Sequence, residues 1–174
     1  QKAIAVSPEI YDVIAKSQEF SARSSGAFDI SFYALRGLWF FDEEPKAILP
    51  DPKVLKARLP LINYRAIELS PKARTVKLQK PGMAINLGGI GKGYAVDAAV
   101  KILRARGLTD GMVQDGGDLM LFGSKGGAPF KAGIRDPRSL DPGDFFAVCE
   151  IKNHAFSTAG DYERSFIREG KRYH

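Results

Sequence analysis

Between Ser7 and Gly26 the apolar positions return at helical spacing. Ile10, Val13, Ile14 and Ser17 fall on one face, which predicts an amphipathic helix. Ser7 can cap it, Pro8 suits its first position, and Glu9 and Asp12 stand where the helix dipole favours acids. The polar run over residues 21–25 and Gly26 end it. Residues 27–41 are rich in aromatics and hold the only tryptophan, Trp39, so the plain structural reading is a core segment. Residues 42–60 carry four prolines and read as connection, with Asp51-Pro52 able to open a short helix through Leu55.

Strand patterns follow. Residues 66–69 and 75–78 flank Ser70-Pro71-Lys72-Ala73, a good turn sequence. Residues 83–87 form a third short apolar run and read as another strand. A helix is predicted from about Ile90 to Arg106. Ala95, Ala98, Ala99, Ile102 and Leu103 would be its buried face and Gly107 its stop. Further strands are predicted at 111–114, 119–122, 130–134, 145–151, 154–157 and 164–168. Glu169-Gly170-Lys171 reads as a hairpin turn into one more. The order helix, strands, helix, strands favours α+β over a regular parallel βαβ array.

Composition narrows the function classes. Apolar residues are 44% and charged residues 26%, an ordinary globular profile. No apolar run reaches the ~18 residues of a membrane-spanning helix. No charged-then-apolar leader stands at Gln1, in a chain that does not begin with Met. The net charge is +6, but the positives are scattered with no basic block interleaved with aromatics, which argues against nucleic acid as partner. The single Cys149 excludes a disulfide framework and sits in an apolar run, as a buried structural thiol would. His154 and His174 have no metal-ligand spacing. Gly-x-Ser-x-Gly is absent, and Ser157 with His154 makes no convincing triad.

The strongest chemical signal is the run from Ile85 to Asp97, in which Asn86 precedes Gly88, Gly89, Gly91, Lys92 and Gly93. Glycines ahead of a helix let a ligand approach the backbone closely. The helix start offers N–H donors and a positive dipole end, and Lys92 adds a mobile charge, so the run suits a phosphate. It is not a P-loop, because Gly93 follows Lys92 where a hydroxyl residue is required. It is not a Rossmann turn either, because the glycine spacing differs. The alternative is a tightly packed corner that binds nothing. Asp115-Gly-Gly-Asp118 reads as a hairpin turn or as part of a site. The segment from Ser157 to Arg164 gathers hydroxyls, a carboxylate and a phenol beside a glycine.

Together these segments resemble the ApbE family of flavin transferases, over nearly the whole chain and in the family's order. The resemblance rests on Gly26-Ala-Phe-Asp29, on Leu87 to Asp97, on Gly116-Gly-Asp118 with Gly133-Ile-Arg-Asp-Pro137, and on Thr158-Ala-Gly-Asp-Tyr162. Ala159, Asn86 and Gln114 depart from residues common in the family at those places. The resemblance implies an α+β fold of two T-fold-like halves, antiparallel sheets backed by helices. It also implies that the chain is the central part of one such domain, with Arg172-Tyr-His174 opening a family segment whose histidine and later metal ligands follow it. The implied activity is Mg2+-dependent transfer of FMN from FAD to a Thr or Ser hydroxyl of an acceptor protein, releasing AMP. Ala27, Phe28, Asp29, Asn86, Lys92 and Thr158 would lie along FAD, and the carbonyl of Gly89, rather than that of Gly91, would bind Mg2+. An FAD pyrophosphatase and a flavin-binding module without turnover stay open as alternatives. A subunit of a membrane redox complex is a candidate acceptor, and a periplasmic or lipid-anchored location is expected.

Overall fold

The computed structural model describes residues 2–41, 49–141, 143–160 and 165–174. The chain divides into two compact units, Gln1–Gly91 and Lys92–His174.

The first unit opens with β1 (Ile4–Ala5) and α1 (Pro8–Arg23). The Ser7 hydroxyl accepts from the Ile10 N–H at 3.3 Å, so the cap read from the sequence is in place. The buried stripe of α1 is Val13, Ile14, Ser17 and Ser21, whereas Ile10 is 41% exposed. Its inner face therefore runs one turn further toward the C-terminus than the apolar pattern indicates. Serine can be buried there because each hydroxyl bonds within the helix, Ser17 to the Val13 carbonyl at 2.7 Å and Ser21 to the Ser17 carbonyl at 2.9 Å. The Gln18 amide donates to the carbonyls of Tyr64 and Ile67, tying α1 to the strand it covers.

Residues 27–41 contain a 3-10 turn at Ile30–Leu35. Ile30, Ser31 and Ala34 are buried, while Phe32, Tyr33 and Phe40 are exposed, so the small and aliphatic members of this run enter the core and these aromatics stay outside. Residues 42–48 lie outside the described residues. α2 (Pro52–Arg58) is capped by the Asp51 carboxylate at Lys53 N and runs one turn past Leu55. β2 (Ile67–Ser70) and β3 (Thr75–Leu78) pair in antiparallel register from Ile67↔Leu78 to Ser70↔Thr75. β1 adds to the far edge of β3, giving the order β1-β3-β2. With two residues, β1 is too short to leave a periodic signal. The core joins Ile14, Ile30, Ala66, Ile67, Val76 and Met83. Burying a side chain such as Ile14 contributes about 1.5–3 kcal/mol.

Residues 83–87 are not a strand. Met83 is buried and Ile85 and Leu87 pack on the core, so the alternation reports burial correctly. Among the described residues no strand pairs with the run; its Asn86 N–H instead meets the Ile30 carbonyl at 2.9 Å. α3 (Gly88–Ala105) follows. Its buried positions are Val96 and Val100, with Leu103 half-buried, while Ala95 and Ile102 are exposed. Its inner stripe is thus rotated from the alanine-rich face. At its end the Gly107 N–H bonds the Arg104 carbonyl and the Leu108 N–H bonds the Leu103 carbonyl. Gly107 has φ +87, the left-handed position glycine favours after a helix.

The second unit continues with β4 (Gly111–Asp115), β5 (Asp118–Phe122), β6 (Phe130–Arg135), β7 (Phe145–Ile151), β8 (His154–Ser157), β9 (Phe166–Arg168) and β10 (Lys171–Tyr173). All pairings are antiparallel, in sheets β4-β5-β8, β6-β7 and β9-β10. The β9–β10 turn has φ 52 at Glu169 and 72 at Gly170, the two positive values a two-residue type I′ hairpin requires. Residue 164, where the predicted strand begins, is outside the described residues. Cys149 on β7 is half-buried and free. Among the described residues no helix is long and apolar enough to cross a membrane.

A corner near the far end of the β4–β5 hairpin carries a titration signature. Asp110 accepts from the Thr109 hydroxyl and from the N–H and hydroxyl of Ser124. These bonds favour the charged form and lower its pKa from the ordinary value, the Thr109 hydroxyl contributing most. Because the folded-state value is the lower one, the stabilisation is complete above the ordinary carboxylate value. It is lost as pH falls through the folded value. A carboxyl-carbon NMR titration is expected to place the Asp110 midpoint below that of an unperturbed aspartate. A midpoint at or above that would show that these bonds do not persist in solution.

Candidate functional site

In the first unit, Gly26-Ala-Phe-Asp29 leads from the end of α1 into the 3-10 turn. Ala27 is exposed and Phe28 half-buried against the core. The Asp29 carboxylate caps that turn. Oδ1 accepts from the Ser31 N–H at 2.8 Å and its hydroxyl at 2.6 Å, and Oδ2 accepts from the Tyr64 N–H at 2.8 Å. The Ser31 hydroxyl oxygen in turn accepts from Asn63 N–H at 2.8 Å. Asp29 is therefore committed to holding two chain segments together, whatever else it touches.

The glycine corner is built in a similar way. Asn86 Oδ1 accepts from the Gly88 N–H at 2.7 Å, and the Leu87 carbonyl accepts from Ile90 and Gly91 N–H at 3.0 and 2.7 Å. Two donors that a helix start leaves open, the N–H groups of Gly88 and Ile90, are thus taken inside the corner, while the Gly91 bond is the first regular one of α3. A Cβ on Gly89 would stand 3.2 Å from the Phe28 ring, so the missing side chain is what lets Phe28 lie over the helix start. Phe28, Asn86 and Gly89 thus share one neighbourhood, with Asp29 adjoining through the chain.

In the second unit, Gly116 and Gly117 close the β4–β5 hairpin between the paired Asp115 and Asp118. The Gln114 amide bonds the Gly116 carbonyl at 2.8 Å, and the Thr158 N–H bonds the Gly117 carbonyl at 3.1 Å. A Cβ on Gly117 would lie 2.7 Å from the Thr158 carbonyl oxygen, so only glycine lets the turn and the end of β8 approach this closely. Lys92 Nζ lies 3.4 Å from where a Gly116 Cβ would stand. Lys92, Gln114, Gly116, Gly117 and Thr158 line a cleft of about 470 Å³ with Phe156 on its wall. A second hollow of about 730 Å³ shares Gly133, Phe156, Thr158 and Gly160 with it and adds Ile134, Pro137 and Phe146. The cleft offers an ammonium and a glycine turn, and the hollow offers rings and aliphatic groups together with Arg135, Ser157 and His174. Both volumes fall in the range of small-molecule sites.

Of the residues singled out from the sequence, Lys92 and Thr158 line this cleft, and Ala27, Phe28, Asp29, Asn86 and Gly89 belong to the first unit. Asp161 and Tyr162 of the Thr158 segment lie outside the described residues. Gln114, Phe156 and the turn glycines had not been assigned roles. The Asp-Gly-Gly-Asp signal and the family resemblance, which noted Gln114 as a departure, pointed to part of this set. Among the described residues no group of three His, Cys, Asp or Glu side chains could hold a metal ion. The Gly89 carbonyl keeps a second lone pair in a helix, but Mg2+ prefers six oxygens, so the described residues do not by themselves fit that ion.

The described architecture is an α+β frame in which a glycine turn and a lysine line one cleft and the rings of Phe146 and Phe156 line the hollow beside it. The ApbE family model matches residues 1–174, and the chain belongs to the ApbE family. It is 31% identical to the FAD:protein FMN transferase of Treponema pallidum (strain Nichols), over 98% of this chain and 51% of that protein. It is 32% identical to that of Rhodobacter capsulatus, over 97% of this chain and 32% of that protein. The crystal structure of the ApbE protein from Thermotoga maritima superposes with TM-score 0.88 at 33% identity, covering 100% of this chain and 56% of that one. The apo flavinyl transferase ApbE of Pseudomonas stutzeri gives TM-score 0.81 at 26% identity, covering 99% and 53%. The chain spans about half the length, or less, of these relatives.

Proposed function

We propose that this chain carries the flavin-nucleotide site of an FAD:protein FMN transferase. The observation that carries the reading is the cleft formed by Lys92, the Gly116-Gly117 turn and Thr158, in a chain that the family model matches from end to end. The reaction joins an acceptor Thr or Ser oxygen to the FMN-side phosphorus, breaks the bridging P–O bond, releases AMP and frees the hydroxyl proton. Lys92 would meet the diphosphate charge, and the shape of the Gly117–Thr158 contact would hold the phosphates against backbone rather than side chain. The apolar wall would take a ring of the substrate. Mg2+ is part of the proposal by resemblance, supplying charge neutralisation on the diphosphate. The acceptor we propose is a protein outside the cytoplasm, a membrane redox subunit being one candidate.

Binding is the direct test. Flavin fluorescence should be quenched on titration with FAD at concentrations where FMN has little effect, because FMN lacks the diphosphate and adenylate. Lys92→Ala is expected to weaken FAD binding roughly tenfold, the scale of a lost charge-assisted contact. Its melting temperature should be nearly unchanged, since an exposed lysine contributes within about ±0.5 kcal/mol. Equal affinity for the two flavins, or no binding, would refute the reading. A large stability loss with normal FAD affinity would show that Lys92 is structural.

A further inference from the structure

Lys92 Nζ and Asp118 Oδ2 are 3.8 Å apart, with the lysine side chain 48% and the aspartate 27% exposed. That separation is an ion pair but too long for a hydrogen bond. The ammonium protons are therefore not spent on the carboxylate. The other oxygen, Asp118 Oδ1, accepts the Ser157 hydroxyl proton, which fixes the orientation of the carboxylate from the end of β8. Asp118 also stands directly opposite Asp115 across the hairpin turn. Two acids so placed repel, and Lys92 offsets that repulsion. Lys92, Gly116, Gly117 and Leu119 line the cleft, whereas Asp118 does not.

We propose that Asp118 is a positioning residue for the cleft: it holds the Lys92 ammonium at the cleft wall beside Gly116, and Ser157 holds Asp118. The inference rests on the reading of the cleft as an FAD site. Two effects of Asp118 oppose each other. Its negative charge disfavours a diphosphate, but it lies off the cleft lining and partly in solvent, where such repulsion is screened. Against this, a lysine stem left free must be ordered by the ligand, and a stem already ordered by Asp118 removes that cost from binding. The 3.8 Å separation leaves the ammonium donors unoccupied and available to a ligand, and the proposal is that ordering of the stem outweighs the screened repulsion.

The test is a double-mutant cycle on the full 174-residue chain, read by FAD titration, together with 13Cε relaxation of the Lys92 side chain in the ligand-free protein. Asp118→Asn keeps size and an acceptor for Ser157 and removes only the charge. It is expected to weaken FAD binding about three- to fivefold, the scale of an exposed ion pair. It should have no effect in a Lys92→Ala background, and it should make the Lys92 Cε more mobile. Ser157→Ala should move the Cε in the same direction by less. Equal weakening in both backgrounds, tighter binding by Asp118→Asn, or an unchanged Cε would overturn the proposal. If the unsubstituted chain fails to bind FAD while Asp118→Asn still frees the Cε, the FAD reading falls and the positioning of Lys92 by Asp118 stands.

Discussion

Replacing Phe122 by alanine is expected to destabilise the protein by about 3–5 kcal/mol, the usual range for truncating a buried phenylalanine. Phe122 is 1% exposed and is the largest fully buried side chain among the described residues. It ends β5 opposite Gly111 on β4, and a Cβ on Gly111 would stand 2.8 Å from the ring. The ring therefore fills the space that glycine leaves. The Arg104 guanidinium of α3 lies 5.5 Å from the ring centroid, so the same ring joins the helix to the hairpin. Arg104 also reaches Asn153 Oδ1, which accepts the Gly123 N–H at 2.8 Å, so the loss of the ring would loosen the β7–β8 turn as well. Gly111 has no side chain to move into the hole, which places the cost toward the high end. Urea denaturation with hydrogen exchange on β4 and β5 measures it. A loss below about 1 kcal/mol would mean that this ring is not packed as described.

Asp29→Ala is the second large effect, about 2–4 kcal/mol. Its carboxylate satisfies two backbone N–H groups and a hydroxyl, and hydrogen bonds to charged groups are the costly ones to lose. Removing it leaves the Tyr64 N–H, 35 positions away in sequence, without its acceptor. It also frees the Ser31 hydroxyl that orders Asn63. Asp29→Asn should recover about half, because one amide oxygen can still cap Ser31 while the NH2 group cannot accept from Tyr64. Thermal melts with parallel FAD titrations separate two roles. Unchanged melting with weaker FAD binding would make Asp29 a pure ligand contact and contradict the cap.

Much of the fold was legible because its signals are local. Ser7-Pro8 before an apolar period, Asp51-Pro52, Gly107 after the last helical turn, and Glu169-Gly170 between two short strands each specify backbone geometry within a few residues. β7 and β8 were readable to the residue for the same reason: short segments, the first largely apolar, closed by turn residues. The motifs that mark the ApbE family were also legible, since they are contiguous.

What the sequence could not determine depends on partners distant along the chain. The alternation at residues 83–87 records that side chains enter a core, not whether a strand lies beside them, and among the described residues none pairs there. On α3 the alanines and Ile102 advertise an apolar face, yet Val96 and Val100 are the buried positions. Helix periodicity defines a stripe but not which edge of it a neighbour will cover. Asp29 carries a charge whose capping role is decided by Tyr64. Asp118 becomes a candidate positioning group only because folding brings Lys92 and Ser157 to its two oxygens. Periodicity and turn chemistry are properties of neighbouring residues and so are written locally, whereas the assignment of a carboxylate to a cap or to a lysine is a property of tertiary contact and exists only once the chain has closed on itself.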